Sequence, residues 1–79
     1  MIDRIFNIEG KWALGADRLQ WIVYKRAGND WRSLSFVSSS RDILARCLSE
    51  KGCDAHTARI LLAGLPSTFK EWKSAVGRL

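Results

Sequence analysis

Gln20-Trp21-Ile22-Val23-Tyr24-Lys25, followed by Ala27-Gly28-Asn29-Asp30 and then Trp31-Arg32-Ser33-Leu34-Ser35-Phe36-Val37, is the stretch around which the rest of the chain organises. The first run concentrates β-branched and aromatic residues, which suit a pleated, half-buried surface. Gly28 and Asn29 tolerate positive φ at low cost, the chemistry of a tight turn. The third run then returns, so a β-hairpin is expected. A period of two places Trp21 and Val23 on one face and Ile22 and Tyr24 on the other. On the return arm it groups Leu34 with Phe36, opposite Trp31, Ser33, Ser35 and Val37. The serines suggest that their face meets water. A slip of one residue in register would reverse the assignment.

Working outward, Arg4-Ile5-Phe6-Asn7-Ile8-Glu9 is rich in strand formers and is broken by Gly10. Lys11-Trp12-Ala13-Leu14 reads as a short strand or bulged edge ending at Gly15. β-structure is therefore expected from Ile2 to about Val37. Beyond Val37 the period becomes helical. Ser38, Ser39 and Ser40 all offer an N-cap, and Ser39 with Asp42 resembles a capping box, with Asp in place of the usual Glu. Ile43, Leu44, Cys47, Leu48 and the stem of Lys51 lie on one stripe, and Gly52 stops the helix. Asp54 caps a second helix with Ala58, Leu61, Leu62 and Leu65 inward. Thr68 and Glu71 form a capping box for a third, where Phe69, Trp72 and Val76 recur at helical spacing. The expected class is α+β. An antiparallel sheet of three or four strands over residues 4–37 precedes two or three helices near 40–51, 55–63 and 68–77, packed on one face. One domain over residues 1–79 is expected.

At 79 residues, with 47% apolar and 27% charged residues, wholesale disorder is excluded. So small a core is worth a few kcal/mol at most, leaving little room for an elaborate active site. Four Trp, three Phe and one Tyr are too many large rings for one small centre. Some must lie half-exposed, where aromatics serve as binding anchors. Thirteen Lys and Arg against eight Asp and Glu give a net charge of +5, which favours acidic partners. The cations are spread along the chain rather than gathered into an arm. No segment is long and apolar enough to cross a bilayer, and Met1-Ile2-Asp3-Arg4 lacks the pattern of a signal peptide. Cys47 and Cys53 are too few for a disulfide framework. A reduced protein of the cytoplasm is expected, as a monomer or homodimer.

Cys47, Cys53 and His56 are the only soft metal ligands in the chain, one short of a structural zinc site even before spacing is considered. The helical stripe places Cys47 toward the core and leaves Cys53 as a surface thiol. Cys53 and His56, with Asp54 between them, lack the oxyanion loop that a thiol nucleophile needs. No phosphate-cradling glycine loop or paired carboxylates occur. No catalytic residue, metal ligand or cofactor is assigned. Trp21, Lys25, Arg26, Trp31 and Arg32 on the hairpin are the candidate partner-binding residues. Rings with interleaved cations suit either a protein interface or nucleic acid. The segment from Asp54 to Ala63 imitates a reader helix, but it offers only His56 and Arg59 as long polar reach. Trp72 is assigned to the core, Trp21 and Trp31 to the surface, and Trp12 to neither.

Trp12-Ala13-Leu14-Gly15-Ala16-Asp17-Arg18-Leu19-Gln20-Trp21, the basic hairpin that follows and Leu65-Pro66-Ser67-Thr68-Phe69-Lys70-Glu71-Trp72 together resemble a group of small bacteriophage- and prophage-encoded proteins. These share a Gly-x-Asp-x-x-Gln-Trp segment and a Leu-Pro-x-x-Phe-x-x-Trp ending. The resemblance covers residues 12–72 and brings no catalytic residues with it. It implies a non-enzymatic accessory protein that binds a host protein stoichiometrically, most concretely an inhibitor of a bacterial defence complex of the anti-CRISPR type. A small basic nucleic-acid-binding protein is the alternative. Within the shared segment Asp17 is expected to cap the turn after Gly15, by bonding its own nearby backbone.

Overall fold

The computed structural model describes residues 4–76. Strands β1 (Arg4–Glu9), β2 (Trp12–Ala16), β3 (Trp21–Ala27) and β4 (Asp30–Val37) precede helices α1 (Arg41–Glu50), α2 (Ala55–Leu62) and α3 (Phe69–Val76). The strands form an antiparallel meander in the order β1-β2-β3-β4. The architecture is α+β, as the hydrophobic periods predict. Ile2 and residue 77, the outer ends of the expected first strand and third helix, lie outside the described residues.

Two of the three hairpins use the same device. Glu9 pairs with Trp12 and Ala27 with Asp30, leaving two-residue loops whose first members, Gly10 and Gly28, stand at φ 62° and 63°. Lys11 and Asn29 have no positive φ, so glycine alone carries the left-handed step, the signature of a type II′ turn. The β2–β3 turn is built differently. Asp17 Oδ1 accepts the N–H of Leu19 at 2.7 Å and of Gln20 at 3.0 Å, while Oδ2 accepts the Gln20 side-chain amide at 3.2 Å. This is the Asx capping expected of Asp17, but Gly15 is no part of the turn. It sits inside β2, buried and paired with Ile22.

These donors, led by the Leu19 N–H, hold the Asp17 carboxyl below the usual carboxylate range. Thr57, through its side chain and its N–H, does the same for Asp54, the N-cap of α2. A depressed folded-state value means that the ionised form favours folding above the unfolded value, near pH 4. That contribution is lost as pH falls through the lower folded values. The urea midpoint should therefore be level from pH 7 to about 5 and fall below about pH 4. Asp17→Asn should flatten part of that fall, and an unchanged acid limb would remove Asp17 from the account.

The helices cover one face of the sheet. Leu14, Trp21, Val23 and Val37 from the strands meet Leu44, Leu48, Leu61, Leu65 and Phe69 in the main core. At about 25 cal/mol per Å² of apolar surface, this layer is the main source of stability. Asn7 anchors β1 to α2 by donating its Nδ2 to the Leu61 carbonyl at 2.9 Å. Ser40 and Thr68 form an isolated antiparallel bridge, with Arg41 N–H to the Ser67 carbonyl at 2.8 Å and Phe69 N–H to the Ser39 carbonyl at 2.9 Å. The N-termini of α1 and α3 are thereby tied together. The Thr68–Glu71 capping box is present in both directions.

Several local readings change. Ser40, not Ser39, caps α1, accepting the Ile43 N–H at 3.3 Å. Ile43 and Val76, expected on inner stripes, are exposed, and so is Lys51. The thiols exchange roles: Cys53 is buried in the core and Cys47 is half-buried at its margin. On β4 strict alternation fails. The register shifts by one residue between Val23 and Tyr24, so Leu34 is the extra residue of a bulge. Leu34 then packs on the main core while Phe36 stays on the opposite face. Val37, expected toward water, is buried opposite Trp21.

Candidate functional site

The face of the sheet away from the helices is built in cross-strand rows. Ile5, Gly15, Ile22 and Phe36 form one row, and Ile8, Ala13, Tyr24 and Ser33 the next. Arg26 and Trp31 form a third at the hairpin end. Because β2 contributes only Gly15 and Ala13 here, larger side chains of β1 and β3 close over it. Ile5 and Trp31 pack against Ala13, Ile22 and Tyr24 in a cluster made of strand residues alone. This self-covering leaves the margins open: Phe36 is 55% and Ile8 54% exposed, and Ile5 and Trp31 are half-buried. The result is an apolar strip open at both edges and covered by no described helix.

The five hairpin residues singled out from the sequence separate into three places. Arg26 and Trp31 pair on the open face, with the guanidinium 5.7 Å from the ring centroid and Nε donating to the Gly28 carbonyl at 3.2 Å. The stacking fixes a planar cation over the half-buried ring. Lys25 and Arg32 pair on the helix-side face, where Lys25 Nζ lies 5.1 Å above the Trp12 ring. Trp12, unassigned from the sequence, is buried beneath that ammonium group.

Trp21 belongs to neither place. Its assignment to a surface is wrong: it is fully buried at the other end of β3, edge-on to Phe69 at 5.4 Å and to Trp72 at 6.3 Å. The physical reason is that Val23 and Trp21 share the face that the helices cover. Phe36, Ile8 and Ile5 were missed as surface residues. The signal was present in the isoleucines of β1 and β3, but the bulge at Leu34 hid which β4 residues joined them.

The helical layer offers less. Two shallow, open depressions lie along α1 and α2, lined by residues such as Ala45, Ala58, Arg59 and Leu62. Cys53 is buried and its thiol is pushed up, first by burial and then by the charge of Asp54, whereas His56 is exposed. A raised thiol pKa is the opposite of what a nucleophilic cysteine requires. Among the described residues no three His, Cys, Asp or Glu side chains are grouped to hold a metal ion. Among the described residues no helix is long and apolar enough to cross a membrane.

The segments that carry the resemblance to bacteriophage proteins meet in space. Asp17 and Gln20 close the β2–β3 turn, and Trp21 packs on Phe69 and Trp72. These contacts make them determinants of the fold. A scan of protein-family models and searches of curated proteins and of solved structures each return no match.

Proposed function

We propose that the chain is a non-enzymatic binding module that engages a partner protein through the open face of its sheet. The observation that carries this reading is the strip of Phe36, Trp31, Ile5 and Ile8 left uncovered, while helices cover the opposite face over the rows nearer the Asp17 turn. Covering the exposed half of Phe36 or of Ile8 would contribute about 1 kcal/mol each, half the value for full burial of such a side chain. Trp31 with Arg26 stacked on it combines the two residue types most enriched at interface hot spots. The concrete form we favour, following the bacteriophage resemblance, is stoichiometric inhibition of a bacterial defence complex in the host cytoplasm. With a net charge of +5 the protein would meet an acidic surface rather than imitate DNA.

The test is capture of a partner by tagged protein from nuclease-treated host lysate, repeated with variants whose fold is checked by circular dichroism. Phe36→Asp and Trp31→Ala should each reduce the captured partner at least tenfold. Lys73→Glu on the exposed side of α3 should leave it unchanged. Equal capture by all the folded proteins would sink the assignment of this face.

A further inference from the structure

The other face of the hairpin end carries a second site of different chemistry. Glu9, Trp12, Lys25 and Arg32 occupy one row across all four strands on the helix-side face. The buried rows Asn7-Leu14-Val23-Ser35 and Ala16-Trp21-Val37 lie further along the strands, toward the Asp17 turn. Lys25 thus stands between an indole ring and a second cation directly opposite it, and like charges at paired positions repel. No carboxylate among the described residues forms an ion pair with Lys25, Arg26 or Arg32, although Asp30 and Glu9 lie at the same end of the sheet.

Lys11 sits in the adjoining β1–β2 turn, its carbonyl accepting the Arg26 N–H at 2.8 Å. Lys11, Lys25, Arg26 and Arg32 therefore converge on one end of the sheet, and all four side chains are exposed. A protein partner at this row would need exposed apolar surface for the centre of an interface. None is in this row: Trp12 is buried, Ile8 and Phe36 belong to the opposite face, and Phe6 lies further along β1 against Trp72. What the row offers is positive charge, on the flexible stems that follow a phosphate chain.

We propose that this end of the sheet, Lys25 and Arg32 with Lys11 and Arg26, is a phosphate-backbone site for nucleic acid. It shares only Arg26 with the open face, where that side chain stacks on Trp31, and Lys25 and Arg32 lie on the other side of the sheet. Single strands and duplexes share the chemistry, and the probes separate them: a fluorescent 20-nucleotide oligothymidylate and a 20-base-pair duplex. With four phosphates neutralised, the log–log salt slope should be roughly −3 on the single strand and about −3.5 on the duplex. Raising salt from 50 to 200 mM would then weaken single-strand binding about 50-fold.

Lys25→Gln combined with Arg32→Gln should bring the slope to roughly half and the affinity at low salt down at least tenfold. Lys70→Gln combined with Lys73→Gln, an equal change of net charge on α3, should not. Phe36→Asp, which probes the apolar strip without touching any of the four cations, should leave binding to both probes unchanged and so separates this site from the protein interface. Absence of binding to both probes at 50 mM salt would overturn the proposal. So would equal loss from the α3 pair, which would show an effect of net charge alone.

Discussion

Trp21→Ala is expected to cost about 3–5 kcal/mol, the range for truncating a large buried ring. A single core in a fold of this length supplies about 3–5 kcal/mol in total, so the variant should be largely unfolded. The side chain is 0% exposed and is the largest fully buried one in the structure. Its loss opens a cavity where strands β2, β3 and β4 meet α3. One feature runs the other way. The Trp21 Nε1 is buried without a hydrogen-bond partner among the described residues, in an indole packed edge-on to Phe69 and Trp72. Leaving such a donor unpaired costs about 1–3 kcal/mol, only weakly offset by contact with a ring. Trp21→Phe removes that donor while keeping most of the apolar volume. It should therefore destabilise by less than half as much as alanine. The measurement is the urea midpoint by circular dichroism, and an alanine variant as stable as the parent would contradict the core described above.

Phe69→Ala should cost a similar amount, about 3–5 kcal/mol, but its effect should begin locally. Helix α3 spans only eight residues, too short to persist without tertiary contacts. It is held by Phe69 against Trp21, by Trp72 against Phe6 at 5.1 Å and by the Ser40–Thr68 bridge. Without Phe69 the helix loses the ring that enters the core. Hydrogen exchange should show α3 amides losing protection first and the β2–β3 amides later. A double-mutant cycle between Trp21→Phe and Phe69→Leu should give a coupling of about 0.5–1.5 kcal/mol, the range for an edge-on aromatic pair. Zero coupling would mean that the two rings do not depend on each other.

Both results concern residues whose importance the sequence announces while leaving their place ambiguous. Trp21 looks like a surface anchor because Lys25, Arg26 and Trp31 follow it within one hairpin. Its own alternation with Val23 puts it with the core, once helices are known to lie on that side. An antiparallel sheet of three or four strands, the hairpin turn at Gly28 and the Asp54 and Thr68 caps were legible because each rests on a backbone preference a few residues long. Three serines in a row offer the same oxygen, so the cap at Ser40 was one of three candidates and the capping box was drawn one position early, at Ser39. Cys53 was placed at the surface because it follows the helix stop at Gly52, yet the chain turns there and returns the thiol to the core.

The candidate surfaces were legible only as a composition: rings and cations on a hairpin. A period of two divides a strand into two faces but does not say which one the helices will take. The bulge at Leu34 changes the division midway along β4, and a pairing register is a property of two strands rather than one. The residues by themselves determined the elements, their order and the basic, aromatic character of the hairpin, because turns, caps and periods are local. Tertiary structure decided that Trp21 is core, that Trp31 and Arg26 share an open apolar face with Phe36 and Ile8, and that Lys25 and Arg32 stand on the other side. Those outcomes depend on which face buries more apolar area under α1, α2 and α3, a comparison made only when distant segments meet.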